Sequence, residues 1–260
     1  MVTADHWDPQ QYNRFHNQRM QPFFDLVGLV QPRPRMRVVD LGCGTGELTE
    51  MLAARFEAAT IDGIDTSSAM LEQAAARTGP GLSFERRDID AIEDYSIYDL
   101  VFSHAALQWV PDNEALMRRL LRTLKPGAQV AVQVPTNDAH PSHRIAGELA
   151  AERPFRDLLG GYVRHSEVLP MERYAELLYE HGLREQVCFE KIYGHELDRS
   201  ADVVEWVKGT SLNAYLSRLD RPDAERFLAI YRERLLSEIG DRSPYFYPFR
   251  RLLFWGHRSE

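Results

Sequence analysis

Cysteine is scarce in this chain: only Cys43 and Cys188 occur among its 260 residues. The two lie far apart and lack the short spacing of metal ligands, so the sequence predicts reduced thiols rather than a cysteine metal site or a disulfide framework. Histidines at zinc-binding spacing, a P-loop and a Ser-His-Asp order are missing too. We therefore expect no bound metal.

Long apolar runs and an excess of positive charge are also missing. The longest apolar runs are too short to cross a bilayer, and the polar N-terminal residues give no sign of a signal peptide. The formal net charge of −8 disfavours a nucleic acid or an anionic membrane as a general partner. We therefore expect a cytoplasmic protein, a monomer or a weak homodimer, that acts on a small molecule.

What the chain does contain is a glycine-rich stretch, VVDLGCGTG, at residues 38–46. Its β-branched start is typical of a short buried strand. Glycines at every second position then let the backbone turn sharply and approach a ligand without Cβ clashes. Apolar spacing predicts a helix over residues 47–56. Strand, turn and helix form the first unit of a nucleotide-type site, with Asp40, Gly42 and Gly44 against the ligand.

The spacing of the glycines favours one cofactor class over another. Dinucleotide folds use G-x-G-x-x-G with a pyrophosphate at the helix N-terminus, whereas this chain has G-x-G-x-G followed by Glu47. A carboxylate in the first helical turn would repel a pyrophosphate. The pattern therefore favours S-adenosylmethionine, which has no phosphate and has a cationic end. A dinucleotide-dependent dehydrogenase stays open as the alternative.

Further candidate cofactor residues follow the next three predicted strands. Asp65, with Thr66 beside it, ends the second strand about twenty residues beyond the glycine turn, where a carboxylate can accept both ribose hydroxyls. Asp88 is placed to hold the adenine amino group with Ile89 against the ring, although it could also be a plain loop aspartate. Ser103 follows the fourth strand at the same edge of the sheet.

The N-terminal segment, residues 1–35, is predicted to form helices that act as a lid. Tyr12 and Arg19 follow one another at helical spacing and could face the cofactor. An arginine there could hold the methionine carboxylate through a charge-assisted pair, worth roughly 1.5–3 kcal/mol. The alternative is a helix that only packs over an edge of the sheet.

Alternating strand and helix signals predict an α/β fold of the Rossmann type with a mostly parallel sheet. We assign residues 36–143 to the cofactor-binding core. Residues 144–260 are predicted to form a helical cap that is interleaved with the last strands of the sheet.

The acceptor side offers few conventional catalytic groups. His104, at the end of the fourth strand, could be a base or a hydrogen-bonded wall residue. A carboxylate acceptor is ionised at pH 7 and needs no base, so positioning by arginine becomes the main task. Arg250 and Arg251 are candidates, and alternation along a strand means that only one of them should reach the pocket.

Several segments together resemble the trans-aconitate 2-methyltransferase family of class I S-adenosylmethionine-dependent methyltransferases over nearly the whole chain. The segments that carry the resemblance are WDP at residues 7–9 with Tyr12, Phe15 and Arg19, VDLGCGTG at 39–46, GIDTS at 63–67, AALQWVPD at 105–112, AVQVP at 131–135 with Asn137, PSH at 141–143, Tyr193, His195, WVKGT at 206–210 and PFRR at 248–251. The motifs of the cofactor loop are shared widely, whereas the N-terminal, QVP and Trp206 segments are more particular.

The resemblance implies a seven-stranded sheet with helices on both faces. It also implies esterification of one carboxylate of trans-aconitate, with S-adenosylhomocysteine as the second product. Together with the positions already named, this gives as candidate acceptor residues His104, Trp109, His195, Trp206, Arg250 and Arg251.

Two positions depart from the family pattern. Asparagine is expected where His104 stands, and an Arg-Pro pair is often expected where Asn213 and Ala214 stand. Two alternatives therefore stay open: a methyltransferase for another small acid or for a malonyl thioester of the biotin-synthesis type, and a non-catalytic S-adenosylmethionine-binding protein.

Overall fold

A single seven-stranded sheet organises the computed structural model, which describes residues 16–259. Its strand order is β3-β2-β1-β4-β5-β7-β6. The strands are β1 (Arg37–Leu41), β2 (Thr60–Asp65), β3 (Leu82–Arg86), β4 (Leu100–His104), β5 (Gln129–Pro135), β6 (Glu185–Leu197) and β7 (Tyr245–His257). β7 runs antiparallel to both of its neighbours and the remaining pairs are parallel, so the predicted mostly parallel sheet is confirmed.

Helices connect these strands. They are α1 (His16–Val27), α2 (Glu47–Arg55), α3 (Ser68–Ala74), α4 (Asn113–Thr123), α5 (Pro141–Ala151), α6 (Phe155–Leu158), α7 (Met171–Glu180), α8 (Asp202–Lys208), α9 (Asn213–Leu216) and α10 (Arg221–Ile239). Short 3₁₀ turns lie at Ala75–Arg77, Ile89–Ala91 and Leu107–Trp109. No helix within residues 16–259 combines the length and the apolarity needed to cross a bilayer.

Side-chain caps fix where the helices begin. Asp112 accepts a hydrogen bond of 3.0 Å from the backbone N–H of Ala115 and so begins α4. Ser67 does the same for α3 through the N–H of Met70, at 3.3 Å. Each cap satisfies a backbone donor that the first helical turn leaves without an intrahelical partner.

The two faces of the sheet are covered by different helices, as predicted. Val39 of β1 packs with α4 and α7 on one face. Its neighbour Val38 packs on the other face with α1 and α2, because successive residues of a strand face opposite sides.

A third apolar cluster lies in the predicted cap region. It joins α5, α6, α8 and α10 to the first half of β7, with Trp206, Tyr231 and Tyr247 among its buried members. The division of the chain at residues 35 and 143 stays a prediction, and α5 already begins at Pro141.

The parallel strands place their carboxyl ends along one edge of the sheet. The chain order reverses between β1 and β4, and ligands of open α/β sheets bind at such a switch point. The glycine turn after β1 and the segment after β4 therefore meet at the position where a site is expected.

Candidate active site

The glycine turn has a backbone that only glycine adopts without strain. Gly42 has a φ of +79° and Gly44 a φ of +56°, and the N–H groups of Gly42 and Cys43 donate to the carbonyl of Ile64 at 2.8 and 2.9 Å. A Cβ on Gly42 would lie 2.2 Å from the Cβ of Ala106, whereas a Cβ on Gly44 would meet no atom within 4 Å. The turn is thus packed behind Gly42 and open at Gly44, as a close approach of a ligand to the backbone requires.

Asp65 lies beside this open part of the turn. Its Oδ2 accepts the N–H of Gly44 at 2.9 Å and its Oδ1 accepts the N–H of Ser67 at 2.8 Å. Burial raises the pKa of the Asp65 carboxyl, and these hydrogen bonds oppose the rise. The backbone of Thr66 also contributes to this effect, and a carboxylate has about four acceptor positions, so Asp65 can still accept a ligand hydroxyl.

Asp40 is buried at the end of β1, with an exposed fraction of 3%. It accepts a hydrogen bond of 2.7 Å from the hydroxyl of Thr49 and so connects β1 with α2. Burial raises the pKa of Asp40 to about 7; the hydroxyl of Thr49 opposes this rise and the negative charge of Asp65 adds to it. Asp40 therefore stabilises the base of the turn, and a cofactor contact through it stays a prediction.

The candidate adenine residues follow β3. Asp88 caps the 3₁₀ turn at Ile89–Ala91, because its Oδ1 accepts the N–H of Asp90 at 3.0 Å. Among residues 16–259, no hydrogen bond to its second carboxylate oxygen is formed. Ile89 is buried in the apolar cluster that also contains Val39 of β1. Both assignments stay predictions.

Thr66 and Ser103 make contacts within the protein. The carbonyl of Thr66 accepts Nε of Arg86 at 3.1 Å, and its side chain is exposed. Ser103 is fully buried and its hydroxyl donates to the carbonyl of Leu41 at 2.9 Å, which ties β4 to the end of β1. The structure thus gives Ser103 a role in holding the sheet edge together.

The predicted lid residues are described only in part. Tyr12 lies outside the described residues, and Arg19 lies in α1. Their contacts with the methionine end of the cofactor stay predictions.

A cavity of about 70 Å³ lies at the same carboxyl edge of the sheet. That volume holds several water molecules, since a cavity needs roughly 10–15 Å³ to hold one. The residues that line it are His104, Ala105, Gln108, Trp109, Pro135, His143, Arg164, Trp206, Thr210, Ser211, Phe249 and Arg251. The fold therefore brings four of the six predicted acceptor residues to one cavity: His104, Trp109, Trp206 and Arg251.

The other two predicted acceptor residues lie outside the cavity lining. His195 is buried behind the cavity, where its ring stacks on Trp206 with the ring centres 4.6 Å apart. Arg250 is exposed, and its backbone N–H donates to Oδ1 of Asn137 at 3.1 Å. His195 is thus placed to support Trp206, and Arg250 faces away because it is one strand position from Arg251.

Arg251 is the buried cation of the cavity, with an exposed fraction of 4%. Its Nη1 donates to Oε1 of Gln133 at 3.3 Å, and its guanidinium lies 4.8 Å from the ring centre of Phe249. These two contacts, with an amide oxygen and an aromatic ring, help to hold the side chain in place. A guanidinium in this position attracts a carboxylate.

The sequence analysis did not predict a role for Arg164. Its guanidinium lies 4.8 Å from the ring centre of Trp109, and its side chain is 13% exposed. Nη1 contacts Oδ1 of Asp138 at 3.3 Å. Arg164 lies in the connection between α6 and α7, where no strand or helix pattern could have indicated which way it faces.

His143 also lines the cavity, although the sequence analysis gave it no role. Its Nδ1 lies 2.9 Å from the hydroxyl of Ser142, which in turn lies 2.9 Å from the hydroxyl of Tyr247. Burial lowers the pKa of His143 to about 4; Asp138 opposes this and the cation of Arg164 adds to it. His143 is therefore neutral at pH 7.

Gln108 and Ser211 leave polar atoms without a partner at the cavity. Nε2 of Gln108 donates to the carbonyl of Ala105 at 2.6 Å. Its buried Oε1 and the buried hydroxyl of Ser211 have no hydrogen-bond partner within residues 16–259. Buried polar atoms without partners cost free energy, and at a cavity they indicate where a ligand or water binds. His104 is buried beside them, with its ring 6.0 Å from that of Phe23, and it could be either a base or a wall residue.

Comparisons with known proteins agree with this geometry. A family model described as "Methyltransferase domain" matches residues 38–127. A trans-aconitate 2-methyltransferase of Deinococcus radiodurans is 45% identical over 260 residues, which cover 98% of this chain and 99% of that protein. One of Variovorax paradoxus is 40% identical and covers 88% of each chain. Among solved structures, phosphoethanolamine N-methyltransferase 2 of Haemonchus contortus in complex with S-adenosyl-L-methionine matches with a TM-score of 0.56 at 17% identity, over 93% of this chain and 53% of that one.

The likeness to the solved structure supports the fold alone. The likeness to the Deinococcus protein extends over nearly the full length of both chains, including the cap and β7. The open turn at Gly44 and the carboxylate of Asp65 beside it fit a nucleoside cofactor that presents no phosphate to the turn. The chain therefore belongs to the trans-aconitate 2-methyltransferase family of S-adenosylmethionine-dependent methyltransferases.

Proposed function

We propose that this protein methylates one carboxylate of trans-aconitate and produces the monomethyl ester and S-adenosylhomocysteine. The names of the two relatives support the acceptor. The observation that carries the proposal is the buried Arg251 in a cavity at the carboxyl edge of the sheet, beside the glycine turn. In a chain of net charge −8, an anionic substrate needs such a local cation.

Each candidate cofactor residue would contact a different part of S-adenosylmethionine. Asp65 would accept the ribose hydroxyls, and Asp88 with Ile89 would contact the adenine. Gly42 and Gly44 would let the cofactor lie against the backbone of the turn. Arg19, with Tyr12, would hold the methionine carboxylate. When bound, S-adenosylmethionine supplies a methyl group on a positively charged sulfur, which is already activated for transfer.

The acceptor residues then have to orient the substrate and exclude water. A carboxylate is ionised at neutral pH because its ordinary pKa lies near 4, so no group needs to remove a proton. Arg251 would hold the acceptor through paired N–H donors, while the aromatic wall of Trp109, Trp206 and Phe249 keeps water out. Holding two reactants at attack distance supplies much of the rate enhancement in such a reaction.

The test is release of S-adenosylhomocysteine by the purified protein with a panel of acids. The panel contains trans-aconitate, cis-aconitate, citrate, isocitrate and a malonyl thioester. We expect turnover with trans-aconitate at the highest kcat/KM. Preference for the malonyl thioester would refute the proposed acceptor, and cofactor binding without turnover of any acid would indicate a non-catalytic protein.

The cytoplasmic location and the monomeric or weakly dimeric state are part of the same proposal. Light scattering over a range of protein concentrations tests the second. A stable tetramer at micromolar concentration would contradict it.

A further inference from the structure

We propose that Arg164 binds a carboxylate of the substrate that is not methylated, and so makes the enzyme selective for polycarboxylates. This inference rests on the proposed function, since it assigns a second binding position in the same cavity. It concerns a residue of the α6–α7 connection, far in sequence from Arg251 of β7.

The first argument is the position of Arg164. Its side chain is 13% exposed and lines the same cavity as Arg251, although the two come from different layers of the fold. The backbone N–H of Arg164 donates to the hydroxyl of the buried Tyr215 at 3.2 Å, which fixes this part of the connection to the cap. Two guanidinium groups held by separate elements can contact two carboxylates of one molecule.

The second argument is the number of N–H donors that remain. A guanidinium has five N–H donors, and within residues 16–259 that of Arg164 uses one, in a contact of 3.3 Å with Asp138. The Asp138 side chain is 43% exposed, so its charge is partly screened by solvent. The contact of the guanidinium with the ring of Trp109 is a cation–π contact and uses none of these donors.

The third argument is that the cavity contains other polar atoms suited to an acid. The hydroxyl of Ser211 is buried there without a partner in the described part of the chain, and it can donate to a carboxylate. His143 is neutral and does not add a third permanent positive charge. The cavity thus presents two fixed cations and a hydroxyl donor, which suits a molecule with two or more carboxylates.

A purely structural role for Arg164 would give a different result when its neighbour is changed. If the contact between Arg164 and Asp138 only holds the connection in place, removing either partner should impair the enzyme alike. If Arg164 binds substrate, Asp138 competes with the substrate for it. Asp138→Asn should then leave the KM for trans-aconitate unchanged or lower it, whereas Arg164→Gln should raise it.

The experiment measures KM and kcat of the wild type, Arg164→Gln and Asp138→Asn with trans-aconitate and with crotonate, an unsaturated acid that has one carboxylate. For Arg164→Gln we expect the KM for trans-aconitate to rise by about tenfold or more, the loss of one charge-assisted pair. We expect its kcat to change little. Its kcat/KM for crotonate should stay within about twofold of the wild type, because crotonate has no second carboxylate for Arg164 to bind. Thermal unfolding of each variant verifies that it folds.

Four results would overturn the inference. Equal losses of Arg164→Gln on both acids, or an unchanged KM for trans-aconitate, would exclude selective binding of a second carboxylate. A rise in KM for Asp138→Asn that equals that of Arg164→Gln would indicate a structural pair. A wild type that releases no S-adenosylhomocysteine with trans-aconitate would refute the proposed function, and the inference with it, before any variant is compared.

Discussion

Asp40 makes the stability of the cofactor-free protein depend on pH in a way that one substitution should abolish. The carboxyl has an ordinary pKa of 3.8 in the unfolded chain, and burial raises the pKa in the folded protein to about 7. Between these two values the folded protein keeps a proton that the unfolded chain has released. Stability therefore falls as pH rises through this window.

The size of the effect follows from the width of the window. Each pH unit changes the free energy of unfolding by about 1.4 kcal/mol, so Asp40 contributes a loss of about 4 kcal/mol between pH 4 and pH 7. Asp40→Asn removes the titration and keeps an oxygen that can accept the hydroxyl of Thr49. We expect the variant to gain on the wild type steadily from pH 4 to pH 7, and the difference to level off above pH 7.

The assay is urea unfolding of the cofactor-free protein at several pH values from 4 to 8. The new amide N–H₂ of the asparagine adds a cost of about 1–3 kcal/mol if it finds no acceptor, but this cost does not depend on pH. Only the slope of the difference between variant and wild type therefore tests the reasoning. A constant difference over the whole range would refute it.

A matched control is available in Asp94→Asn. Asp94 accepts the N–H and the hydroxyl of Ser96, and these hydrogen bonds lower its pKa. A lowered pKa stabilises the folded state above the ordinary value and loses this effect only as pH falls below about 4. The stability curve of Asp94→Asn should therefore run parallel to that of the wild type from pH 4 to pH 8.

Three further predictions concern the turn and the two ligand positions. Gly42→Ala should lower the melting temperature, measured by differential scanning calorimetry, much more than Gly44→Ala. Both substitutions place an alanine at a positive φ, which costs about 1–2 kcal/mol, but only that at Gly42 drives a Cβ into Ala106. Asp65→Asn should raise the dissociation constant of S-adenosylmethionine in titration calorimetry by about tenfold, and unaltered binding would contradict the ribose assignment. Arg251→Lys should raise the KM for trans-aconitate by about tenfold because a lysine cannot make a paired contact, whereas Arg250→Lys should have no such effect, and equal effects would contradict the assignment.

The cofactor side could be predicted from the sequence because its signals are local. The turn that holds Gly42 and Gly44, the helix that follows it and the acid at the end of β2 are read within one continuous segment. The cap at Asp112 is equally local. Each of these depends on backbone geometry that a few neighbouring residues determine.

The ends of the last two strands were harder to predict. The apolar pattern of the sequence predicts strands over Val187–Tyr193 and Tyr247–Trp255, whereas β6 spans Glu185–Leu197 and β7 spans Tyr245–His257. Gly194 and Pro248 interrupt the strand pattern, yet they pair with one another in the sheet. Pro248 is tolerated because β5 pairs with β7 only from Arg251 onward, so no neighbour on that side needs its missing N–H.

The acceptor side needs information that no local pattern contains. Its lining comes from the ends of β4 and β5, the α6–α7 connection, α8 and β7, which meet only in the folded chain. Alternation along β7 already predicts that Arg250 and Arg251 face opposite sides, but it cannot say which side is the cavity. That choice depends on the register of β7 against β5, where Pro135 lies opposite Arg251 and also lines the cavity. A shift of one residue would bury Arg250 instead, so which of the two adjacent arginines lines the cavity depends on strand pairing and not on the arginines themselves.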